Sequence, residues 1–100
     1  MSWLEVEAGK AGVREEPDRV ARDLGLRIEG AEWLDTDFFN RTVPLEVWAN
    51  GHRCVVPFGF DTLADAPATS EIRHAVSRRI RTVVADLAGP PPQLGGAAPH

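Results

Sequence analysis

From Ser2 to Ala8 apolar and polar positions alternate, with Leu4 and Val6 set between Trp3, Glu5 and Glu7. Period two predicts a strand with one wet face and turns Trp3 to its outer side. Gly9 to Gly12 then reads as a turn. Glu16-Pro17 predicts a short helix: proline suits a first helical position, and Glu15, Glu16 and Asp18 suit its positive end. Val20, Ala21 and Leu24 form its buried stripe. Asp18 with Arg22, and Arg19 with Asp23, are spaced to pair on the wet side. Gly25 predicts the C-cap, with Leu26 folding back onto the last turn. A second strand is expected over 27–34. A bulge at Gly30 would bring Ile28, Ala31 and Trp33 to one face. Residues 35–40 predict a loop.

The clearest pattern runs from Val43 to Phe60. Asn50-Gly51 is the preferred pair for a two-residue type I′ turn, because both positions need positive φ. With that turn fixed, Val47 faces Cys54, Leu45 faces Val56 and Pro44 faces Pro57. Val43, Leu45, Val47, Cys54, Val56 and Phe58 then share one face, and Glu46, Trp48, Arg53 and Val55 share the other. Asp65 to Ala88 predicts a long helix whose apolar stripe is Ile72, Val76, Ile80, Val83 and Leu87. Gly89 and three prolines stop it. Residues 89–100 have no period and predict a flexible Pro/Gly-rich tail beyond a single domain at 1–88. The expected class is α+β: an antiparallel sheet in β-α-β-β-β-α order with a short and a long helix on one face.

Composition narrows the function. One hundred residues allow one domain, and a formal charge of −4 argues against a protein whose main work is gripping phosphate backbones. The bases are 11 in number and Lys10 is the only lysine, which with abundant Ala, Gly, Pro and Val matches a GC-rich, bacterial type of coding sequence. A single cysteine, Cys54, excludes an intramolecular disulfide and fits a reducing cytoplasm. No signal sequence and no apolar run of about 18 residues is present, so no membrane is expected.

Four groups could carry chemistry. His52-x-Cys54 points one way from a strand, but a closed zinc site needs about four ligands and no others are placed nearby. Glu29, Glu32, Asp35 and Asp37 form an acidic run without the glycine and bidentate glutamate of a calcium loop. On the long helix His74, Arg78 and Arg81 line the wet face, flanked by Arg73 and Arg79. Trp3 and Trp48, with Val55, Glu46 and Arg53, are expected to share the outer sheet face as a partner surface. There is no G-x-S-x-G, no Gly-rich phosphate loop and no H-E-x-x-H. The sequence therefore predicts a small non-catalytic cytoplasmic interaction protein: a regulator, accessory subunit or immunity-type inhibitor. It would bind no cofactor or metal and would pair with itself as a homodimer or with another protein. The alternative is a small dimeric enzyme or small-molecule-binding protein. Its pocket would lie between sheet and long helix and use His52 or His74. A third is weak nucleic-acid binding through the arginine-bearing helix.

Overall fold

Ser2 opens a helix, not a strand. In the computed structural model, which describes residues 1–89, α1 runs Trp3–Leu24 without a break. The Ser2 hydroxyl accepts from the Glu5 amide at 3.3 Å, and the Glu5 carboxylate accepts from the Ser2 amide at 2.7 Å. This reciprocal capping box satisfies two amide donors that a helix start otherwise leaves open. The expected first strand is thereby corrected: the Leu4/Val6 alternation is too short to outweigh a capped helix whose buried positions are Val6, Gly9, Val13, Pro17, Val20 and Ala21. Pro17 lies inside the helix, not at its start, with its ring fully buried. Gly25 (φ +68°) ends α1, and Leu26 donates back to the Ala21 carbonyl at 2.8 Å, as expected of a left-handed glycine cap. Arg19 pairs with Asp23 at 3.2 Å, whereas Asp18 pairs back to Arg14 and not forward to Arg22.

Three antiparallel strands follow, β1 (Gly30–Trp33), β2 (Thr42–Ala49) and β3 (His52–Gly59), in the order β1-β2-β3. Asn50 and Gly51 take φ +54° and +78°, and Val47↔Cys54, Leu45↔Val56 and Pro44↔Pro57 are partners, as the turn requires. Pro44 accepts from the Leu34 amide at 2.9 Å through its carbonyl, so the backbone groups of Pro44 face β1. By the alternation of the ladder those of Pro57 face the free edge of β3, and neither missing N–H breaks the β2–β3 pairing. Gly30 answers to packing: a Cβ there would fall 2.5 Å from the Trp48 ring.

The expected long helix is two. α2 (Phe60–Asp65) and α3 (Ser70–Ala88) are separated by a turn that holds Pro67, which has no N–H to return to the Leu63 carbonyl. All three helices cover the inner sheet face. Val43, Leu45, Val47, Val56 and Phe58 meet Val6, Val13 and Val20 of α1, Leu63 of α2 and Val76, Ile80 and Val84 of α3 in one core. The class is α+β, with an antiparallel sheet and helices against one face. The expected tail lies outside the described residues, apart from Gly89.

Candidate functional site

The five residues expected to form one partner surface do not come together. Glu46, Trp48, Arg53 and Val55 share the outer sheet face. Trp3, being helical, sits elsewhere: its ring stacks on Phe38 at 5.9 Å and meets the edge of Phe60 at 5.5 Å. Phe60 follows the open end of the hairpin, and Trp48 lies six residues along β2 from that end, a separation of about 20 Å at strand rise. On the outer face Trp48 covers Gly30 and carries the Arg53 guanidinium at 5.1 Å from its ring centre. Arg53 also pairs with Glu46 at 2.6 Å. These side chains satisfy one another, and of the four outer-face residues only Val55, at 48% exposure, presents substantial apolar surface.

The exposed apolar surface is concentrated instead around Trp3. Leu4 is 81% exposed, Phe38 70% and Phe39 93%, with Met1 and Trp3 also exposed. The Trp3–Phe38 stack joins the start of α1 to the β1–β2 loop. Asp37 shapes that loop by accepting from the Asn40 amide at 3.0 Å and its side-chain amide at 2.7 Å, bonds that hold the Asp37 carboxyl below the usual carboxylate range. Arg41, at φ +55°, stands over Phe60 at 5.6 Å. An aromatic side chain offers roughly 150–250 Å² to a partner when fully buried, and exposed apolar groups of this kind mark interaction surfaces.

A depression lies between α1 and α3. It measures about 650 Å³ and is floored by Gly9, Val13, Ala66 and Val76. Glu16 and Arg19 close one end. Arg19 binds Glu16 at 3.0 Å and Ser77 of α3 at 3.0 Å. The bond from Arg19 and, more weakly, its charge hold the Glu16 carboxyl below the glutamate range, so Glu16 is a weak base. Arg73 and His74 line the α3 side. Arg73 donates to the Pro67 carbonyl at 2.9 Å, and among the described residues neither has an acidic partner within 4.0 Å.

Arg78 and Arg81 lie exposed on the same helix as His74. His52 is exposed beside the hairpin turn. Cys54 is half-buried on the inner face, and no group of metal-binding side chains occurs among the described residues. Glu29 accepts from the Asn50 amide at 3.1 Å, so part of the acidic run holds the turn in place. No helix among the described residues is long and apolar enough to cross a membrane. Comparison with protein-family models, with curated proteins and with solved structures finds no match.

Proposed function

We propose that the chain is a non-catalytic interaction protein, a regulator, accessory subunit or inhibitor acting in the cytoplasm, and that it engages its partner through Met1, Trp3, Leu4, Phe38 and Phe39. The observation that carries this reading is the exposure of Phe39, Leu4 and Phe38 around one aromatic stack. Aromatic side chains in such positions anchor protein interfaces because they bury large areas at little entropic cost. Among the charged side chains that flank the patch in sequence, the acids Glu5, Asp35 and Asp37 outnumber the single base Arg41. A twofold pairing of the patch would set acid against acid. The partner is therefore a different protein, with an apolar anchor and a basic rim.

Affinity capture from the native lysate tests the proposal by comparison. The wild type should retain a stoichiometric partner that a Phe38→Ser/Phe39→Ser variant of unchanged fold loses, while Trp48→Glu keeps it. Loss on Trp48→Glu alone would return the interface to the outer sheet face. Self-association that survives the Phe38/Phe39 change, seen by light scattering, would do the same for a homodimer. Retention on RNA or DNA that falls steeply with salt would favour the arginines of α3 instead.

A further inference from the structure

Gly12 has no packing reason to be glycine. Its φ is not left-handed, and a Cβ built on it meets nothing within 4 Å. Gly9, one turn earlier, contrasts with it: a Cβ there would fall 1.7 Å from the Leu63 carbonyl oxygen. The missing side chain at position 12 opens onto the α1–α3 cleft, whose volume of about 650 Å³ falls within the range of roughly 300–1,000 Å³ typical of small-molecule sites.

Charge defines the occupant. Glu16 is neutralised by Arg19 at the closed end. Arg73 spends one N–H on Pro67 and keeps the rest of its five donors. With His74 beside it, the α3 side of the cleft is cationic above an apolar floor. We propose that the cleft binds a small amphipathic carboxylate, its apolar body over Gly12, Val13 and Val76 and its carboxylate against Arg73 and His74. The site shares no residue with the aromatic patch, so it stands or falls independently of the interaction reading.

The test is a nitrogen-15 NMR titration of the full chain with 2-naphthoate, using uncharged 2-naphthalenemethanol as the comparison. Saturable shifts are expected at Gly12, Val13, Val76 and Ser77. Arg73→Gln should weaken naphthoate about tenfold and leave the alcohol unchanged, because only the anion uses the charge-assisted contact. Gly12→Leu should weaken both ligands about tenfold or more by filling the floor. If Gly12→Leu fails to fold, Gly12→Ala, which adds one methyl to open space, takes its place with a smaller loss. Shifts centred on Trp3 and Phe38, equal affinity for acid and alcohol, no saturable shift at millimolar ligand, or unchanged binding in the folded Gly12 variant would each overturn the proposal.

Discussion

Gly9 and Gly12 stand three residues apart in one helix, and a side chain would meet opposite conditions at the two. At position 9 the glycine hydrogen points at the Leu63 carbonyl, which Pro67 leaves without its helical N–H partner. Gly9→Ala must push α1 away from α2 and should destabilise by about 1–3 kcal/mol or more. Gly12→Ala meets open space and should stabilise by about 0.5–1 kcal/mol through helix propensity alone. Urea denaturation of the two variants checks both signs, and a similar loss for each would contradict the described packing. Neither glycine could be read correctly from sequence. In a single chain, a glycine that permits close approach, one that leaves a cleft open and one that makes a turn look alike. The only distinguishing signal was the Ser2…Glu5 spacing upstream, which announces a helix start and makes a turn at 9–12 unnecessary.

At the level of elements, the hairpin was legible and the N-terminal helix was not. Asn50-Gly51 constrains two backbone angles at once, so one dipeptide sets the register of sixteen strand residues, and Val47↔Cys54 follows from counting. The segment 3–24 carries no such local lock. Pro17, read as a helix start, lies buried in mid-helix, where the packing of its ring on the core offsets the lost hydrogen bond. Pro67 acted as the stronger break, because the turn at 66–69 redirects the chain from α2 to α3. The two long helices are then tied by Arg19, which binds Glu16 on its own helix and Ser77 across the gap. This link has a pH signature. The folded pKa of Glu16 is lowered, chiefly by the hydrogen bond from Arg19. Its stabilisation is therefore fully present above the unfolded glutamate value of about 4.3 and is lost as pH falls through the lower folded value. The pair is partly exposed, so the effect is on the order of 0.5–1 kcal/mol. Melting curves between pH 6 and about 3 should fall less steeply for Glu16→Gln than for the wild type. Parallel curves would show that the link contributes nothing.

At the level of the whole molecule, the fold spends its apolar residues unevenly. The sheet's inner face and three helices close over one core with no buried polar side chain among the described residues. On the outer face Arg53 lies over Trp48 and pairs with Glu46. What remains uncovered is the aromatic end, where α1 begins and the β1–β2 loop turns. The alternation at 3–7 predicts a strand and sets Trp3 beside Trp48, whereas the helix carries Trp3 to Phe38 and Phe60 instead. A loop has no period from which to read which side faces out, so the sequence does not mark Phe38 and Phe39 as exposed. Their exposure became visible only once the fold showed nothing packed over them. Site-specific photo-crosslinking in the cells of origin tests that assignment most directly, with a benzophenone side chain at position 39 and, separately, at position 55 on the outer sheet face. The account predicts one discrete heteromeric adduct from position 39, abolished by Leu4→Ser and Phe38→Ser together, and none from position 55. An adduct from position 55 alone, or none from either, would contradict it.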